Sequence, residues 1–307
     1  MQRNAIALMI TLLFVITISA AIGIGLKQVK EASQSVNGET FMIESSVILD
    51  DVLRLLKTNK DLDLITKAET LEEKRDALAL FLASSEFIPF ESSGVKVILE
   101  IHSARAKLNI NNLIDQNGTL NAKVEEALLI YFRDKGVEDE YLGYLKDGMG
   151  GIKEDGDYQT ELFVKEPEVV KNYIVNKKHL EKINETYGKI LHTNSLSKIK
   201  FDKLFCYEKD RNVSIDLNYA PKELWRLMLG VDDTRAQQLV DEEGMYAKEE
   251  DLLLKEHELK ALKRFKVSFY EPFLDVKVEI LKADKDVKIQ FEYDLTKKKG
   301  SHFIYEL

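Results

Sequence analysis

Ala5-Ile6-Ala7-Leu8-Met9-Ile10-Thr11-Leu12-Leu13-Phe14-Val15-Ile16-Thr17-Ile18-Ser19-Ala20-Ala21-Ile22-Gly23-Ile24-Gly25-Leu26 contains no charged residue and no proline. As a helix rising 1.5 Å per residue it is roughly 33 Å long, enough to span a bilayer core of about 30 Å. Arg3 precedes it, Lys27 and Lys30 follow it, and everything beyond is mixed and polar. The expected layout is a folded body on one N-terminal apolar helix, with a function at a membrane. Three readings of the stretch stay open. It is a permanent anchor, or a cleaved secretory signal with Ser19-Ala20-Ala21 as its small residues, or the start of a mature chain freed from a short leader, Met1 to Ala5. The run exceeds the usual 7–15 apolar residues of a secretory signal, and its flanking charges do not fix an orientation.

The 307 residues suggest two folded units, and 45% apolar with 32% charged residues is ordinary globular composition. A net charge of −9 disfavours non-specific attraction to nucleic acid or anionic lipid. The single cysteine, Cys206, excludes an internal disulfide and, in Leu204-Phe205-Cys206-Tyr207, reads as core.

Beyond the apolar run a helical rhythm persists through Val36, Phe41, Ile43, Val47, Ile48, Val52, Leu53, Leu55 and Leu56, loosened at Asn37-Gly38. A second helix is expected over 71–84, and a turn around Pro89 and Gly94. Val95, Val97, Leu99 and Ile101 then alternate with Lys96, Ile98, Glu100 and His102, the pattern of a strand. From 114 to 265 the pattern is helical: 124–134, 138–145, 166–176, 178–187, 221–229, 234–243 and 249–262, interrupted by an acidic, Gly-rich loop over 147–161. From 266 strands return, over 267–269, 276–281, 287–293 and 302–305, with a turn at Asp284-Lys285-Asp286. Strand, helical block and strands again predict an α+β protein, a sheet domain (27–113 and 266–307) with an inserted all-α domain (114–265). Two domains in series is the alternative.

Signatures of catalysis are lacking. The sequence has no phosphate loop, zinc pattern or nucleophile elbow. His102, His179, His192, His257 and His302 are scattered and read as surface or strand residues. Glu44, Asp50 and Asp51 read as the polar face of a helix. The helices expected over 221–229 and 234–243 turn at Gly230-Val231-Asp232-Asp233, the place of the hairpin in a helix-hairpin-helix-like unit. Nucleic-acid-binding hairpins leave bare backbone amides for a phosphate at that turn. Two carboxylates there would repel it, so a packing role is expected and no nucleic-acid partner. Asp216 and Asn218 read as turn and N-cap residues ahead of Pro221, and Asn109, Asn111 and Asn112 as turn builders.

Several stretches, in order, carry a family resemblance: Ala5 to Leu13, Ala104 to Leu113, Val213 to Pro221, then Ala236, Met245-Tyr246 and Glu250-Asp251-Leu252. They are spread from Ala5 to Leu252, and the resemblance they carry covers essentially the whole chain. The chain resembles the protein K family of minor pseudopilins in type II secretion systems. The resemblance implies a transmembrane helix over 6–26 that continues into a pilin-like helix packed on an antiparallel sheet. It implies cleavage by a prepilin peptidase between Ala5 and Ile6, insertion in the inner membrane as a single span with N-terminus cytoplasmic and body periplasmic, and no enzymatic activity. Its partners would be other minor pseudopilins and the inner-membrane secretion platform.

This chain departs from the family at two places. The family usually has Gly where Ala5 stands. It also carries a tryptophan and close aspartates in a calcium-binding loop, where this chain reads Asp147-Gly148-Met149-Gly150-Gly151. Asp147, Asp155, Asp157 and Glu161 could still offer hard oxygen ligands to calcium. The plainer reading is a solvated acidic loop, since the spacing is not that of an established calcium loop. At the fifth mature position, where most pilin-like subunits carry a glutamate that meets the amine of the subunit above, this chain has Ile10. A subunit with nothing above it has no such amine to meet, so Ile10 fits a place at the fibre tip. Two other readings share the layout: a pseudopilin of a DNA-uptake machine, and an unprocessed bitopic membrane adaptor.

Overall fold

The computed structural model describes Phe14, Ile18 and residues 37–85, 87–92, 94–115, 118–150, 170–242, 245–283 and 285–306. It is an α+β protein of two compact units. One comprises Met1–Ala104 with Tyr270–Leu307, the other Arg105–Phe269. The division falls before the expected boundary at Leu113, because Leu108 to Leu113 already packs into the helical core. It falls after the expected boundary at Phe265, because Val267 pairs with Ile215.

The first unit is a helix on a sheet. Helix α1 (Asn37–Thr58) is followed by α2 (Lys60–Lys67), which the sequence pattern had not suggested, and by α3 (Leu71–Ser85). Asn59 caps α2, accepting from the amides of Asp61 and Leu62 at 2.7 and 3.1 Å. The antiparallel sheet runs β1 (Phe87–Ser92), β2 (Val95–Ser103), β7 (Phe273–Lys282), β8 (Lys285–Asp294) and β9 (Lys299–Glu306), in the spatial order β1-β2-β7-β8-β9. Val97, Leu99 and Ile101 face Ile280, Val278 and Val276 across β2 and β7, so alternation buries one face continuously. Pro89 lies inside β1 rather than in a turn. It is tolerated there because β1 is an edge strand and needs no donor on its outer side. The turn itself is at Gly94, with φ +76°.

Helix α1 is tied to this sheet by polar contacts from its inner face. Glu44 is buried and accepts from Lys282 Nζ on β7 at 2.7 Å. Asp51 is also buried, ion-paired with Arg54, and burial raises its pKa. Glu44 and Asp51 therefore do not form a solvated polar face; of the three acids only Asp50 is exposed.

Of the apolar run, Phe14 and Ile18 are described. Both are helical and buried, and the Phe14 ring meets Phe81 edge-on at 6.4 Å. The remainder of the expected 6–26 span lies outside the described residues. Among the described residues no helix is long and apolar enough to cross a membrane.

The second unit is helical, with a core of its own running from Leu108 to Phe265 around Trp225, Tyr141 and Tyr187. Its elements are β3 (Leu108–Asn109), a 3-10 turn (Ile110–Leu113), α4 (Ala122–Asp134), α5 (Glu140–Met149), α6 (Lys177–Ile190), a second 3-10 turn (Ser195–Lys198), α7 (Phe201–Leu204) and β4 (Phe205–Cys206). After these come β5 (Ile215–Asp216), a 3-10 turn (Leu217–Tyr219), α8 (Lys222–Leu229), α9 (Asp233–Asp241), a 3-10 turn (Glu249–Leu252), α10 (Glu256–Leu262) and β6 (Val267–Ser268). Residues 170–176 are not helical as expected, because Ile174 is held in an irregular segment by the Asn111 side chain. The expected helix over 249–262 is broken at Leu253, which has φ +46°.

Candidate functional site

The helical unit is built twice on one plan. Each half opens with a two-residue strand, and its second residue caps a 3-10 turn. The Asn109 side chain accepts from Asn111 N at 3.2 Å, and that of Asp216 accepts from Asn218 N at 3.1 Å. The asparagine two residues on then reads a distant backbone. Asn111 accepts from Ile174 N at 2.8 Å and donates to Ile174 O and Glu208 O, both at 3.0 Å. Asn218 accepts from Tyr246 N at 2.8 Å and donates to Tyr246 O at 2.9 Å and Phe269 O at 2.8 Å. Each amide thus satisfies its own polar atoms while pairing backbone that would otherwise be buried unbonded. Each half closes with a parallel two-residue strand pair, β3 with β4 and β5 with β6. Asn111 and Asn218 are thus long-range clasps as well as turn builders.

The duplication extends to the hairpins. Helices α4 and α5 turn through Gly136-Val137-Glu138-Asp139, α8 and α9 through Gly230-Val231-Asp232-Asp233. Both glycines are left-handed, φ +75° and +66°, the conformation that ends a helix at least cost without a Cβ. This Gly-Val-acid-acid repeat is the signal in the sequence that marks the duplication.

At the second turn Asp232 caps α9, accepting from Arg235 N at 2.8 Å. Asp233 is bound by Lys222 at 3.2 Å and Arg226 at 2.7 Å, and their hydrogen bonding and charge hold its pKa below the usual carboxylate range. Arg226 also reaches Asp134 at 3.5 Å. The α9 N-terminus is thus occupied by the chain's own carboxylates, and Lys222 and Arg226 are engaged with them. That is the electrostatics of a packing hairpin, opposite to that of a phosphate site. Beside it an open groove of about 570 Å³ runs between α4 and the α8–α10 side, with Ile130, Leu229 and Val231 among its lining.

Ala5, Ile6 and Ile10 lie outside the described residues, as do Asp155, Asp157 and Glu161 of the expected calcium loop. Asp147 is described, and it is not in a solvated loop: it is buried near the end of α5. The ends of the segment that follows are held by Arg211, whose guanidinium donates to Met149 O at 3.0 Å and also to Asn172 O. His179 departs from its expected surface position. It is buried on α6, where burial and the Lys182 charge push its pKa down to about 4. Cys206 is half-buried on β4, its thiol 3.6 Å from Lys107 O.

A long helix packed on an antiparallel sheet, with a helical unit opening one of its hairpins, defines the class: an α+β body with an all-α insertion. Among solved structures, the chain is similar to one in the crystal structure of the GspK-GspI-GspJ complex from the enterotoxigenic Escherichia coli type 2 secretion system. The identity is 13% and the TM-score 0.57, over 88% of this chain and 96% of that one. The fold is therefore a GspK-like minor-pseudopilin fold. No family model and no curated protein matches the sequence.

Proposed function

We propose that this chain is a non-enzymatic minor pseudopilin of a type II secretion system, placed at the tip of an inner-membrane pseudopilus and supporting protein export. The observation that carries the reading is the fold likeness, which covers 88% of this chain and 96% of the other. In this reading a prepilin peptidase cuts between Ala5 and Ile6, residues 6–26 span the inner membrane, and the body lies in the periplasm. The mature helix packs with other minor pseudopilins and the secretion platform. Ile10 suits the tip, because a carboxylate in apolar surroundings with no amine to meet it would be costly. The carboxylate-filled hairpin turns argue against a DNA-uptake role.

The test is N-terminal sequencing of the chain extracted from membranes of its own host, with identification of what co-purifies. The expected mature start is Ile6, in company with other minor pseudopilins. A start at Met1 would make the protein a plain bitopic adaptor, and a start near Ile22 a secreted protein with a conventional signal.

A further inference from the structure

Leu253 is 78% exposed and Met245 71% exposed, the two most exposed large apolar side chains among the described residues. Both belong to one loop of the helical unit between α9 and α10. Leu253 is also strained: its φ of +46° is left-handed, where its Cβ crowds the backbone and where glycine or asparagine would sit more cheaply. Among the described residues the other left-handed ones that are not glycine are His192, Ala283, Lys298 and His302, and none of these is a large aliphatic.

The loop is firmly held. Leu253 N donates to Glu250 O at 3.3 Å, and Arg235 Nη2 grips the carbonyls of Leu252 and Leu253 at 3.3 and 3.0 Å. Arg235 is itself fixed by the buried Glu258, which also caps α10 by accepting from Lys255 N at 2.8 Å. Asp251 accepts from the amides of Ala247 and Lys248 at 2.8 and 3.0 Å. Asn218 pins Tyr246 beside Met245. A rigid, strained loop that exposes leucine gains nothing for stability from that side chain, and such strain gathers where a site is prepared for a partner.

The surroundings indicate what kind of partner. Residues 241–256 contain seven acids (Asp241, Glu242, Glu243, Glu249, Glu250, Asp251, Glu256) and two bases (Lys248, Lys255), a net −5 of the chain's −9. We propose that the loop from Met245 to Leu254 is a docking knob. Its anchor is Leu253, and it seats in an apolar pocket rimmed by lysine and arginine on another minor pseudopilin. An exposed apolar anchor within a charged rim is the usual build of an interface hot spot, and the acidic rim selects a basic partner. The proposal rests on the function proposed above.

The test measures binding of the full chain, purified in detergent, to each minor pseudopilin encoded beside it, at low and high salt, with thermal unfolding in parallel. One of these partners should bind the wild-type chain, more weakly at high salt. Leu253→Gly should bind it at least tenfold more weakly while melting no lower than wild type, since glycine relieves the strain. Leu253→Gly binding as tightly as wild type would overturn the docking role and leave the pseudopilin reading standing. So would self-association of the wild-type chain that is lost in the variant, which would make the occupant a second copy. Failure of the wild-type chain to bind any minor pseudopilin would remove the functional reading and this proposal with it.

Discussion

His179 is a buried base with half of its hydrogen bonding unmet. Its Nδ1 accepts from Val175 N at 3.3 Å, and its Nε2 has no partner among the described residues. With its pKa held near 4 against about 6.5 in an unfolded chain, the unfolded state binds the extra proton first. Stability is therefore fully present above pH 6.5 and falls as the pH drops toward 4, by roughly 2–3 kcal/mol between pH 7 and 4.5 from this group. His179→Asn keeps an acceptor where Nδ1 sits and cannot be protonated. Denaturant unfolding across that range should show a flatter pH profile for the variant, and equal slopes would rule out His179 as the source. Nothing in the sequence marked this histidine as different from the other four, because its burial depends on how α6 packs. The asparagines were more legible. Asn109 and Asp216 cap turns, in keeping with the turn-building roles expected of them ahead of the helices. That Asn111 and Asn218 clasp Ile174 and Tyr246 could not be read, since those partners lie 63 and 28 residues away.

Strongly periodic elements were legible because alternation or a three-to-four step leaves one solution for burying the apolar face. β2 and α1 are of this kind. Short elements set by a single cap or contact were not: α2 rests on the Asn59 cap, and the break at Leu253 on Arg235 gripping two carbonyls. The docking of α1 on β9 has a comparably local cause. A Cβ on Gly300 would lie 2.8 Å from Phe303 Cζ and 2.9 Å from Leu53 Cδ2, so the absence of a side chain lets the helix come close. Gly300→Ala should force these side chains apart and cost about 1–3 kcal/mol, as overpacking does. Thermal melting should show a lowered midpoint with the helical unit's contribution unchanged. A midpoint equal to wild type would mean that the half-exposed Phe303 ring swings aside at little cost.

At the scale of the molecule, the insertion enters the sheet at one place. β2 and β7 are antiparallel neighbours with Ser103 opposite Leu274, and Ala104 N still donates to Phe273 O at 3.0 Å. The residues flanking the helical unit are thus already as close as the two sides of a hairpin. Among the described residues, that unit has a hydrophobic core of its own from Leu108 to Phe265. Two consequences follow for a body beginning at Asn37. Replacing Arg105–Pro272 with Asn-Gly should join Ala104 to its partner Phe273 through a tight turn whose backbone twist matches the strands. The shortened chain should fold, with the mixed helix-and-strand circular dichroism of three helices on a five-stranded sheet and one cooperative melt. Arg105–Phe269 made alone should give a helical spectrum and its own transition, since each unit buries a complete core. If either fragment stays unfolded while the whole body folds, the two units depend on each other for stability. The insertion would then be part of the body's folding and not a module carried on a hairpin.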